Sequence, residues 1–395
     1  MKRFALPLIV AAQFCGTSVW FAGNAVLPEL GGRLGLGAGA VAGVTSAVQL
    51  GFIGGALVFA LLAVADRWSP VRVFGACALL AAAANAGPAL GGAPSYASLL
   101  GARVVTGFFL AGVYPVGMKI AADHFAPERL GRALGWLVGA LVLGTALPFG
   151  LRDFGGGLAD WRAVLLGSSA LAAAGGLLLA GLLGDGPLRR AGRGFRPGAV
   201  GALFRVAALR RAALGYFGHM WELYSFWAFV PLFLAGSSAW VIGVGAVGCV
   251  WAGWRSLGRG AARVARRSLA VSGGCGLLLP VVLLYGPEWG LWMLLLVWGF
   301  FVVADSPMFS TLVAAAAPAE GRGSALTIVN CLGFALTIVS VQAISGLVAV
   351  VGVWGYAALA LGPLVGIWAG PRGGRTRGGR TRGGRKARPY GGGAS

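Results

Sequence analysis

Long apolar runs, broken by short charged or Gly/Pro-rich intervals, make up most of this chain. About 20 apolar residues in helical form cover the hydrocarbon thickness of a bilayer, at about 1.5 Å of rise per residue. Runs of that kind lie at 4–30, 39–65, 73–92, 97–121, 133–151, 161–184, 212–234, 239–254, 269–286, 289–316, 324–348 and 350–370. They predict an all-α integral membrane protein of 12 transmembrane helices. The eighth run is short and ends Arg-rich, so its failure to span would give eleven. The first run follows Met1-Lys2-Arg3 and continues to Leu30 without an A-x-A-type cleavage site, so it is expected to stay as a helix.

Charge sets the direction of each crossing, because cytoplasmic loops hold an excess of Lys and Arg. With the N-terminus inside, 28 of the 32 Lys and Arg fall on cytoplasmic segments, and only Arg33, Arg103, Arg152 and Arg162 remain. A missing crossing would reverse this bias partway along the chain. Both termini are therefore expected to be cytoplasmic. The net charge of +21 becomes mostly a matter of orientation. The Arg/Gly tail after Pro371 resembles an RNA-binding RGG segment, but a disordered basic tail lying on anionic lipid is the reading adopted, with no nucleic-acid partner.

Composition agrees with a lipid solvent. The 395 residues are 58% hydrophobic and 11% charged with mean hydropathy +0.82, against about 25% charged in a soluble domain. Cys15, Cys77, Cys249, Cys275 and Cys331 lie scattered in apolar runs and read as small hydrophobes. With two histidines and no ligand spacing, no metal or cofactor is expected.

Two distant segments align without gaps at an offset of 192 residues: GFFLAGVYPVGMKIAADHFAPERLGRAL from Gly107 and GFFVVADSPMFSTLVAAAAPAEGRGSAL from Gly299. Pro115 meets Pro307, Glu128 meets Glu320 and Gly131 meets Gly323, so loop residues agree as well as apolar ones. An offset of six helices in one orientation predicts two parallel six-helix halves. The boundaries expected are a first half at 1–184, a cytoplasmic linker at 185–211, a second half at 212–370 and a tail at 371–395.

Parallel halves of this kind are the arrangement of the major facilitator superfamily, whose substrate site lies between the halves near the membrane midplane. Asp66-Arg67-Trp68-Ser69-Pro70-Val71-Arg72 resembles that family's G-x-x-x-D-R-x-G-R-R signature between helices two and three, with Leu62 and Ser69 at the glycine positions. The resemblance implies that Asp66, Arg67 and Arg72 lock the cytoplasmic gate. The sister loop Gly253–Arg259 has Arg255 at the acid position and Ser256 at the Arg position. Leu99-x-x-x-Arg103-x-x-Thr106-Gly107 is similar to a signature found mainly in proton-coupled members. GTSVWFAGNAVLP from Gly16 and GHMWELYSFWAF from Gly218 resemble a bacterial branch grouped with nitrate/nitrite porters and cyanate permeases, which implies the inner membrane. The Gly/Asn-rich nitrate signature is absent.

Charge within hydrocarbon is costly and marks a pathway or relay. Arg103, His219, Glu222 and Asp305 all fall inside predicted spans. His219 and Glu222 are three residues apart and share a helix face with Trp221, Tyr224 and Trp227 nearby. Glu222, having no local base, is the leading proton carrier, with His219 and Arg103 expected to tune it and Asp305 as the alternative. The resemblance implies that helices one, four, seven and ten line the cavity and bring these groups together. Gln13, Trp20, Asn24, Asn330 and Gln342, with Trp221 and Tyr224, are candidates for its wall; helix-to-helix hydrogen bonding is the plain reading for the amides.

The expectation is thus a monomeric proton-coupled transporter of a small solute, working by alternating access. Efflux of drugs or metabolites, uncoupled facilitation and a channel are the competing readings. An enzyme would need H-E-x-x-H, G-x-S-x-G or a P-loop, none of which occurs.

Overall fold

A chain surrounded by hydrocarbon must satisfy its backbone polar groups internally, and helices do so within one segment. The computed structural model describes residues 4–37, 39–91, 94–154, 160–189, 198, 201, 205–234, 236–318 and 322–371; for 127–129, 131 and 322 it describes the backbone alone. All its regular elements are helical. They are α1 (Ala5–Thr17), α2 (Ala22–Leu34), α3 (Gly39–Leu61), α4 (Val64–Arg67), α5 (Pro70–Leu90), α6 (Tyr96–Leu110), α7 (Tyr114–His124), α8 (Pro127–Phe154) and α9 (Trp161–Leu182). Then follow α10 (Ala207–Phe233), α11 (Ser238–Arg259), α12 (Ala261–Tyr285), α13 (Glu288–Ala304), α14 (Ser306–Ala316), α15 (Arg322–Val351), a 3₁₀ stretch (Gly352–Ala360) and α16 (Leu361–Ala369).

Ten segments of the described residues are long and apolar enough to cross a membrane. One of them, Gly323–Ala369, has 47 residues, enough length for two crossings, and the 27-residue α10 is a further long helix outside the ten. The eighth run is longer than expected, 22 residues, because the Arg-rich end remains helical to Arg259. The linker is shorter at its C-terminal end, since α10 begins at Ala207 rather than 212. Most of 190–204 and the tail from 372 lie outside the described residues.

Three crossings expected to be continuous are broken. The first is interrupted between Thr17 and Ala22, the fourth between Leu110 and Tyr114, and the tenth at Asp305. In the last two the break precedes Pro115 and Pro307, the prolines matched by the repeat; each lies at the start of the following helix, where its missing N–H costs nothing.

Packing repeats pair for pair. In the first half α3 packs on α6, α5 on α9 and α6, and α1 on α9 and α8. In the second α11 packs on α13, α12 on the 3₁₀ stretch and α13, and α10 on α16 and α15. Between the halves α8 lies along α11 and α3 along α15. Small residues allow the closest approaches. A Cβ at Gly107 would meet the Val48 carbonyl, and one at Gly299 the Val241 carbonyl, so the repeated glycine sits where two helix backbones touch. Exposed Trp240, Tyr285, Trp289 and Trp354 lie toward one end of the bundle, and Trp68, Trp254 and Trp368 toward the other, as two interfacial belts would.

Candidate functional site

Seven buried or half-buried rings form the seam between the halves. Trp20 of the α1–α2 break has its ring centroid 5.0 Å from Phe52, 6.2 Å from Tyr114, 6.0 Å from Tyr224 and 5.9 Å from Phe334. Phe21 lies 6.1 Å from Tyr224 and 5.9 Å from Trp227. Rings from α3, α7 and the break thus meet rings from α10 and α15. The indole Nε1 atoms of Trp20 and Trp227 are buried without a partner. Phe52, Tyr114 and Phe334 were not singled out in the sequence, where nothing separates them from other aromatic residues of the spans.

Arg103 is fully buried on α6 and holds the break in the first crossing. Its guanidinium donates to Asn85 Oδ1 at 2.7 Å, to Val19 O at 2.8 Å and to Trp20 O at 2.5 Å. Those carbonyls have no helical partner because the backbone turns there. Gly23 leaves room for the Arg103 side chain, whose Cδ lies 2.7 Å from where a Cβ would be. Arg103 is therefore engaged within the first half, and the expected tuning of Glu222 by Arg103 has no counterpart among its contacts.

The other three buried charges singled out in the sequence belong to the second half. Glu222 Oε2 accepts from Ser272 Oγ at 2.8 Å and Oε1 from Trp298 Nε1 at 2.8 Å, so α12 and α13 hold its two oxygens. Ser272 Oγ is also 3.3 Å from Leu269 O. His219 turns to another partner: its Nδ1 lies 2.7 Å from Asp305 Oδ1, and both residues are fully buried. The two residues thus meet each other across two elements.

The other candidates scatter. Trp221 donates to Ala358 O at 2.9 Å and so faces the last crossing. Asn24 donates to Thr45 Oγ1 at 2.7 Å, leaving its Oδ1 without a partner. Both polar atoms of Gln13 are buried without a partner, against Gly117. Asn330 is half-buried on α15, and Gln342 bridges the halves through Ser46 Oγ at 2.9 Å. Asp66 pairs with Lys119 Nζ at 3.0 Å, within its own half, while Arg67 and Arg72 are exposed. Nearby, Asp185 accepts from Ser69 Oγ and Arg189 Nη1, each at 2.6 Å, and Arg189 donates to Trp68 O at 2.8 Å. This latch on the start of the linker was not foreseen. Among the described residues no cluster of His, Cys, Asp and Glu could hold a metal.

Broken crossings around an aromatic seam, in two halves with repeated packing, are matched by sequence: residues 9–341 match the Major Facilitator Superfamily. The chain belongs to that superfamily. It is accordingly a multi-pass membrane transporter and not an enzyme. Solved structures share the fold at low identity. The xylose transporter XylE from E. coli, in a partially occluded inward-open conformation, superposes with TM-score 0.73 at 11% identity, covering 92% of this chain and 96% of that one. The human organic anion transporter MFSD10 (TETRAN) gives 0.71 at 16%, covering 93% and 99%. The nucleoside transporter NupG gives 0.67 at 14%, covering 93% and 98%. No curated protein matches the chain in sequence.

Proposed function

We propose that this transporter couples movement of a small solute to protons, with Glu222 as the proton carrier. The observation that carries the reading is its hydrogen-bond set. An ionised Glu222 accepts from Ser272 and Trp298. A protonated one donates to Ser272 Oγ, whose own hydrogen turns to Leu269 O, already at 3.3 Å. Both protonation states are thus held without an orphaned polar atom, which a simple structural carboxylate does not need. Among the described residues no Lys or Arg pairs with Glu222, so no fixed cation blocks the exchange. The His219–Asp305 pair, which shares α10 with Glu222 through His219, is the second titratable unit of the relay.

The solute binds at the aromatic seam, where Trp20 and Tyr224 face each other across the halves and two indole N–H groups await acceptors. We read twelve crossings, with α10 as the seventh and Gly323–Ala369 as the last two, and both termini in the cytoplasm, a reading that the Lys/Arg bias supports. The halves then run 1–184 and 207–370, joined by the linker, and the protein works as a monomer of the bacterial inner membrane. The stretches from Gly16 and Gly218 support the nitrate/nitrite and cyanate branch. Asp66, paired to Lys119, serves the gate by fixing the loop after the second crossing to the end of the fourth.

Purified protein is to be screened by thermal shift against sugars, nucleosides and inorganic and organic anions, then reconstituted with a pH-sensitive dye in the lumen. The stabilising solute should drive a lumenal pH change when added outside. Solute uptake without any pH change contradicts proton coupling.

A further inference from the structure

Away from the seam, a groove of about 340 Å³ opens at the Arg-rich end of α11 and α12, lined by Trp251, Arg255, Arg259, Val264, Arg267 and Phe301 among others. Arg259 has Arg255, Arg263 and Arg267 as its strongest charged neighbours, and none of the four has an ion pair among the described residues. Arg266 is otherwise engaged, donating to Ile367 O at 2.6 Å. Like charges gathered beside hydrocarbon repel strongly unless a counter-anion sits among them. Gly260 between the two helices offers no side chain to cap α12, so the first amides of that helix also face the charged end.

Deeper in, the walls turn apolar. Trp251 lies 5.5 Å from Phe300 and 5.6 Å from Phe301, and Val271 continues the lining. The rest of that end of α11 is also apolar and open, with Trp254 76% and Leu257 88% exposed on its other faces. A basic mouth continuous with an apolar trough beside the lipid-facing surface fits a molecule with an anionic head and a hydrocarbon tail. We propose that this groove binds an anionic phospholipid, its phosphate among Arg255, Arg259 and Arg267 and one acyl chain along Trp251, Val271 and Phe301. A free phosphate would satisfy the arginines alone and leave the trough empty; a zwitterionic lipid would bring a cation to a site that already holds four.

The test is native mass spectrometry of the full-length protein in detergent with phosphatidylglycerol or phosphatidylcholine, and thermal stability with each lipid or with inorganic phosphate. Phosphatidylglycerol should be retained preferentially. Its retention should fall roughly tenfold or more in R255Q/R259Q, at one interfacial charge each, and recover in R255K/R259K. It should be unchanged in R132Q, which removes one such charge from the other half. Val271→Trp, filling the trough, should lower lipid retention yet leave any effect of phosphate intact. Equal retention of the two lipids overturns the proposal, as does stabilisation by inorganic phosphate equal to that by the lipid. A loss in R132Q matching that in the double variant overturns it too, reducing the effect to surface charge.

Discussion

Arg103 and Glu222 illustrate two uses of charge inside the bundle. Arg103 supplies two hydrogen bonds to carbonyls that the broken first crossing leaves open and a third to Asn85 on α5. Arg103→Ala should cost about 3 kcal/mol or more, since each orphaned buried acceptor costs about 1–3 kcal/mol; a large drop in melting temperature of detergent-solubilised protein would register it. Arg103→Lys should recover only part, because one ammonium nitrogen cannot replace both Nη2, on the Val19 and Trp20 carbonyls, and Nη1, on Asn85. Glu222 has hydroxyl and indole donors instead of a cation. Ser272→Ala should weaken coupled transport while Trp298 still holds Oε1; retention of full coupling would detach Ser272 from the relay. The residues themselves were legible in the sequence, because a charge in an apolar run stands out. Their partners were not: His219 and Asp305 lie on different elements, and helical spacing relates His219 to Glu222 alone. Only the turn of α10 against α13 and α14 decides between those partners.

Helical elements here owe their contacts to glycine more than to apolar pattern, since lipid offers no hydrophobic drive for helix association. Gly107→Val and Gly299→Val should each destabilise by about 1–3 kcal/mol, the cost of overpacking a close contact. Gly135→Ala, where a Cβ meets nothing, should be neutral or stabilising. Equal effects at Gly107 and Gly135, measured by thermal unfolding, would remove the close-approach argument. Segment lengths were readable because crossing a bilayer fixes them. The breaks before Pro115 and Pro307 had a proline signal, whereas the break at Ser18–Phe21 has no proline after it and depends on Arg103 from another helix. In the short α4 after the second crossing, Asp66→Asn removes the pair with Lys119; it should shift the resting population toward inward-open, seen as altered accessibility of cysteines placed along the seam. Unchanged accessibility would make Asp66 a plain surface partner.

At the scale of the whole molecule, the repeated packing explains why an offset of 192 residues survives in sequence: equivalent helices must meet equivalent backbones at Gly107 and Gly299. Reporter fusions near Ser95, Gly236 and Gly286 should read the outer face and a fusion in the linker the inner one; an outer signal from the linker would break the twelve-crossing arrangement. Alternating access needs each carboxylate only at certain steps, which separates coupling from movement. The decisive measurement uses proteoliposomes with an imposed pH gradient and the solute identified by thermal shift. Glu222→Gln should abolish gradient-driven accumulation and leave solute exchange at equal pH largely intact. Accumulation that persists in Glu222→Gln but vanishes in Asp305→Asn would contradict the assignment and move the proton to the His219 pair.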